Sequence, residues 1–109
     1  MYSSRDREQY RSLPECAAIL KRCQSELQGP NSEYSVDSLA IFGSVARKQN
    51  HRKSDIDILV HFSALPSLFE LVRVESLLAK ALDMRVDLVV ENKIEPEFLA
   101  RISKDIVRI

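Results

Sequence analysis

A chain of 109 residues, 45% apolar and 29% charged, has the composition of one small globular domain and leaves no room for a two-domain enzyme. Sixteen Lys and Arg offset sixteen Asp and Glu, so the formal net charge is zero. No global field then favours a polyanion or an anionic surface, and neither direct nucleic-acid binding nor membrane association is expected.

Residues 1–11 are polar and lack apolar periodicity, which predicts a flexible N-terminal tail before a domain spanning 12–109. Ser12 and Glu15 have the spacing of a capping box, Pro14 suits a first helical turn, and Cys16, Leu20, Cys23 and Leu27 recur with helical period until Gly29 and Pro30. That pattern predicts a first helix. The seven-residue cysteine spacing fits neither a redox CxxC nor a zinc site, so both thiols are expected to be free and structural. With no secretory leader and no apolar run of membrane-spanning length, a cytoplasmic setting is expected.

After a turn over 31–35, Val36 to Phe42 predicts a strand, broken at Gly43 and Ser44, where a short helix begins. A second strand follows over Asp55 to Phe62, with Ile56, Ile58, Val60 and Phe62 on one face and Asp55, Asp57, Leu59 and His61 on the other. Ser67 and Glu70 form a second capping box, opening a helix to about Leu82 with the apolar stripe Leu68, Leu71, Val72, Leu78 and Leu82. Arg85 to Val90 predicts a third strand, Pro96 opens a last helix carrying Phe98, Leu99 and Ile102, and Val107 to Ile109 suits a short edge strand. The expected fold is α/β: a small mixed sheet of three or four strands flanked by helices.

The chemistry concentrates in Gly43-Ser44, ten further residues, and then Asp55-Ile56-Asp57. Glycine lets the chain turn sharply off a strand and lets a ligand approach the backbone, and N–H groups at a helix start suit a phosphate. Carboxylates at i and i+2 of a strand share a side with Cα atoms about 6 to 7 Å apart, a spacing suited to hard divalent cations. Asp87, inside the apolar run from Val86 to Val90, is expected to be costly to bury without a counter-charge, which a shared metal would supply. Three carboxylates beside a phosphate cradle are the parts of metal-assisted phosphoryl or nucleotidyl transfer, one ion activating a hydroxyl and another steadying the triphosphate and leaving group. Of the basic run Arg47, Lys48, Arg52 and Lys53, Arg47 lies one turn beyond Ser44 and is the candidate triphosphate contact. His51 reads as a solvated loop residue. His61 shares the carboxylate face, but four strand residues put it about 13 Å from Asp57, outside one metal shell.

At these residues the chain resembles the minimal nucleotidyltransferases of the DNA polymerase β-like superfamily, whose signature is Gly-Ser, ten residues, Asp-x-Asp. The likeness runs through Leu39 to Arg47, Ser54 to Val60 and Arg85 to Val90. It implies a polymerase β-like nucleotidyltransferase core, Asp55 and Asp57 as Mg²⁺ ligands, Asp87 as third carboxylate and general base, and Gly43 and Ser44 at the phosphates of ATP. It also implies an antitoxin that transfers AMP to a tyrosine of a HEPN-domain ribonuclease toxin, and hence a hetero-oligomer with that toxin. Lys48 stands where the family usually has glycine, which bears on the path of the following loop. Inhibition by binding alone, nucleotidylation of a small molecule with a partner subunit, and a homodimer remain open from sequence.

Overall fold

The computed structural model describes residues 11–28, 34–51 and 54–109. The expected tail before Arg11, the helix-stopping Gly29 and Pro30, most of the following turn, and Arg52 and Lys53 lie outside the described residues. Arg11, assigned to the tail, is tied down: its Nε donates to Leu82 O at 2.6 Å and its carbonyl accepts from Asn50 Nδ2 at 2.9 Å.

Helix α1 (Leu13–Gln28) opens on the expected capping box. Ser12 N donates to Glu15 Oε1 at 3.2 Å and Glu15 N donates back to Ser12 Oγ at 3.4 Å, so two N–H groups without helical partners are satisfied reciprocally. Strand β1 (Val36–Phe42) leads without a loop into the four-residue helix α2 (Gly43–Ala46). Strand β2 (Ile56–Phe62), helix α3 (Leu68–Leu82) and strand β3 (Val86–Val90) follow, then a 3-10 turn, helix α4 (Pro96–Ile102), a second 3-10 turn and strand β4 (Val107–Arg108). Helix α3 is capped at its start by Ser67 Oγ, which accepts from Glu70 N at 3.1 Å.

The four strands form one mixed sheet in the order β3-β2-β1-β4. Strand β1 runs antiparallel to β2 and β4, whereas β2 and β3 are parallel and joined through α3. Two registers fix the site: Phe42 lies opposite Asp57, and Asp57 lies beside Asp87. Asn92 finishes the far end of β2, since its amide donates to Phe62 O and accepts from Phe62 N, both at 2.9 Å.

Strand alternation sends Leu39, Ile41, Ile56, Ile58, Val60 and Phe62 to one face, where α1 and α3 cover them with Leu20, Leu27, Val74, Leu78 and Leu82. The other face is smaller: Ala40, Phe42 and Leu59 under Phe98 and Ile102 of α4, with Phe98 edge-on to Phe42 at 6.0 Å. Cys16 and Cys23 are free and buried, and burial pushes the Cys16 thiol up to about 11, so both are inert core groups as expected. The expected α3 stripe needs correction. Leu71 packs against the core and Leu78 and Leu82 are buried, but Leu68 and Val72 point outward and Val74 takes their place inside. Helical spacing identifies an apolar stripe without fixing which edge of it turns inward.

Candidate functional site

The site lies where β1 ends and β2 and β3 begin, on the face covered by α4. Gly43 leaves β1 with φ +75°, in the left-handed region that favours glycine. The reason is contact as well as torsion: a Cβ there would overlap Asp57 Oδ2 and stand 2.9 Å from its Cγ. The main chain at Gly43 and the Asp57 carboxylate are therefore packed directly on each other. Helix α2 begins at this point with Phe42 as N-cap, which supplies no side-chain hydrogen bond to the first N–H groups.

Asp57 is the half-buried member of the carboxylate trio. Burial raises its pKa to about 6, reinforced by the charge of Asp87, a side-chain hydrogen bond with Asp87 and the charge of Asp55, while Arg47 opposes the rise. Both neighbouring carboxylates thus act on Asp57, and all three side chains present only hard oxygen donors. That donor chemistry fits a hard divalent cation, whose charge would relieve the repulsion. The trio is nevertheless not drawn into one cluster. Among the described residues no group of three or more His, Cys, Asp or Glu side chains stands in metal-holding geometry. Asp55, exposed and just before β2, is engaged instead by Arg85, whose Nε donates to Asp55 Oδ1 at 3.1 Å.

Burial falls on a different aspartate from the one the sequence suggests. Asp87 was expected to bear the cost of sitting in an apolar strand, but β3 is an edge strand and Asp87 is exposed. The cost falls on Asp57, in the neighbouring interior strand. Strand period tells the two faces apart but not which strand is at the edge.

Arg47 lies just past α2, exposed, 3.8 Å from Asp105 Oδ2, with its Nε donating to Gln49 Oε1 at 3.2 Å. Its charge reaches Asp57. Lys48 adopts φ 61° and donates its N–H to Val45 O at 3.0 Å, so the chain takes a glycine-like turn there despite the lysine. His51 and Ser54 then exchange two hydrogen bonds, 2.8 Å into Ser54 Oγ and 2.9 Å into His51 O, which sets the approach to β2. His61 sits at the far end of β2, with Nδ1 3.0 Å from Asp37 Oδ2.

Arg85 and Asp105 are site neighbours that the motif does not contain. The parallel register that pairs Ile56 with Val86 also brings Arg85 beside Asp55, so an assumption of parallel pairing would have found Arg85. Nothing local marks Asp105, which reaches Arg47 only because β4 pairs with β1. The open groove of about 380 Å³ between α1 and α3, floored by Ile19, Cys23, Leu77 and Ala81, lies on the opposite face of the sheet from the carboxylates.

The sequence profile of the nucleotidyltransferase domain family matches residues 17–109. A candidate protein adenylyltransferase of Methanocaldococcus jannaschii is 36% identical over 91% of this chain and 99% of its own length. Protein adenylyltransferase MntA of Thermococcus cleftensis is 31% identical over 88% of this chain and 94% of its own. Among solved structures, the fold is shared with a chain of a toxin-antitoxin structure with AMP-PNP, at TM-score 0.66 and 24% identity, covering 85% of this chain and 70% of that one. It is shared as well with a chain from a tri-AMPylated Shewanella oneidensis HEPN toxin in complex with MNT antitoxin, at TM-score 0.59 and 20% identity, covering 87% and 68%.

Proposed function

Because the chain belongs to the nucleotidyltransferase domain family, with protein adenylyltransferases among its relatives, we propose that it is an antitoxin that transfers AMP from ATP to a tyrosine hydroxyl of a HEPN-domain toxin and silences it. The observation that carries this reading is the packing of the Gly43 main chain on Asp57, with Asp87 hydrogen-bonded alongside. A glycine turn at the start of a helix thereby stands against a pair of carboxylates, an arrangement suited to setting a triphosphate beside metal-binding oxygens. The structural neighbour from a complex of a tri-AMPylated HEPN toxin with MNT antitoxin supports the choice of a HEPN toxin as the protein that receives AMP.

In this reading Gly43 and Ser44 meet the phosphates through the main chain, and Arg47 adds positive charge at their edge. Asp55, Asp57 and Asp87 would hold Mg²⁺, as two ions, which when bound supplies positive charge for the triphosphate and the departing pyrophosphate. Asp87 is exposed on the edge strand, where an incoming protein acceptor can reach it. It orients the phenol and accepts its proton as the tyrosine oxygen bonds to the α-phosphorus. The bond from that phosphorus to the bridging oxygen breaks, and pyrophosphate leaves.

The test is to incubate the protein with its helical toxin, Mg²⁺ and ATP labelled in the α-phosphate. Label should enter a tyrosine of the toxin, and Asp57→Asn or Asp87→Asn should lower the rate by at least about 100-fold. Undiminished labelling by either variant would remove the assignment.

A further inference from the structure

Among the described residues, four large apolar side chains are exposed: Leu65, 68%, Leu68, 74%, Phe69, 80%, and Val72, 54%. Helical geometry at 100° per residue explains their grouping. Val74, Leu78 and Leu82 point into the core, while Leu77 and Ala81 turn toward α1, where they border the groove with Ile19 and Cys23. Leu68, Phe69 and Val72 are left on the outer flank of the N-terminal half of α3, next to Leu65 in the preceding loop. Since β2 runs away from the carboxylates and the 15-residue α3 returns toward them, this patch lies about 20 Å from the site and across the sheet from it.

We propose that this patch seats a second copy of the chain, docked about a twofold axis with α3 against α3. Area is the first argument. The four side chains present about 500 Å², the size of the largest apolar patch on an ordinary monomer, and in natural proteins such a patch is commonly an interface. Two copies face to face would bury at most about 1,000 Å² in total, less than the roughly 1,200 Å² of a stable interface and the size of a weak, reversible one.

Symmetry is the second argument. A twofold contact places a patch on itself, so an all-apolar surface needs no different complement. The ridge formed by Leu68 and Val72, four residues apart, with Phe69 beside it, can interdigitate with its own copy. Charge is the third: a chain with sixteen basic and sixteen acidic residues carries no net charge to repel its twin. The docking leaves the Gly43, Asp57 and Asp87 end open in both copies, and it stands whether or not the reaction assigned above is correct.

Sedimentation velocity on the full chain alone, from about 1 to 100 µM, tests the proposal. The expected mass at the upper end is twice the 12.5 kDa of the chain, in reversible exchange with monomer. Phe69→Glu, and independently Leu68→Lys, should weaken the pair at least tenfold while the far-ultraviolet circular dichroism and melting temperature of the monomer stay those of the parent. A parent chain monomeric throughout the range, or a dimer insensitive to both substitutions, would overturn the proposal. So would a monomeric parent whose capture of the helical toxin is lost in both variants, because the patch would then belong to the toxin.

Discussion

Gly43 and Asp57 are a single packing unit, and their properties follow from that contact. Replacing Gly43 with Ala adds a Cβ inside the Asp57 carboxylate and holds an L residue at φ +75°. Gly43→Ala should lower stability by about 1 to 3 kcal/mol and AMP transfer by at least about 100-fold, read from urea unfolding and from label incorporation. Asp57 makes a second prediction through its raised pKa. Between its ordinary value of 3.8 and about 6, the folded protein keeps a proton on Asp57 that the unfolded chain has released. In metal-free buffer stability therefore falls as pH rises through that window, and the penalty is complete above about pH 6. Asp57→Asn removes the charge, so it should exceed the parent by about 1 to 2 kcal/mol at pH 7.5, after allowance for solvent screening, and match it near pH 4. A variant less stable than the parent at pH 7.5 would contradict the burial assigned to Asp57. The Asp pair and the Gly-Ser turn were legible in the sequence because both are local in the chain. The exposure of Asp87 and the partners Arg85 and Asp105 depend on strand order, which no local pattern encodes.

The elements themselves were largely written in local signals. Capping residues Ser12 and Ser67 mark two helix starts, Gly43 ends β1, and Pro96 opens α4. Strand β2 starts one residue later than expected, at Ile56, where its pairing with Val86 of β3 begins. The outward flank of α3 was misread because Leu68 and Val72 fit a helical stripe as well as Val74 does. The segment between α2 and β2 answers the question raised by Lys48: its φ of 61° preserves the turn that a glycine would make. A left-handed L residue costs about 1 to 2 kcal/mol, and the greater freedom of unfolded glycine offsets about half of that. Lys48→Gly should therefore stabilise the protein by about 0.5 to 1 kcal/mol in denaturant titration, with AMP transfer intact. Destabilisation would mean that the lysine side chain holds the loop.

Across the whole molecule the two faces of the sheet divide the work. The α1/α3 face holds most of the buried apolar side chains, whereas the α4 face is thin and carries the carboxylates at its edge. Burial of Asp57 and its repulsion by Asp87 and Asp55 lower the stability of the metal-free protein, so a bound cation should restore it. Magnesium at ten times its dissociation constant contributes about 1.4 kcal/mol, which for a domain of this size raises the melting temperature by roughly 5 to 10 °C. Calorimetry with Mg²⁺ against buffer should show this rise in the parent and lose it in Asp57→Asn. An equal rise in both would move the cation elsewhere.

Strand β3 has one open side, and its sequence is Val-Asp-Leu-Val-Val. An apolar strand with unpaired backbone groups is a template for uncontrolled stacking, and natural proteins guard such strands with an inward or edge charge. Asp87 is the only charge in this one. The residue assigned to receive the acceptor's proton is thus also the gatekeeper of the sheet, and enzymology and solubility are coupled at one position. Asp87→Val should lose AMP transfer and also precipitate on concentration or form thioflavin-positive aggregates, whereas Asp87→Lys should lose transfer and stay soluble.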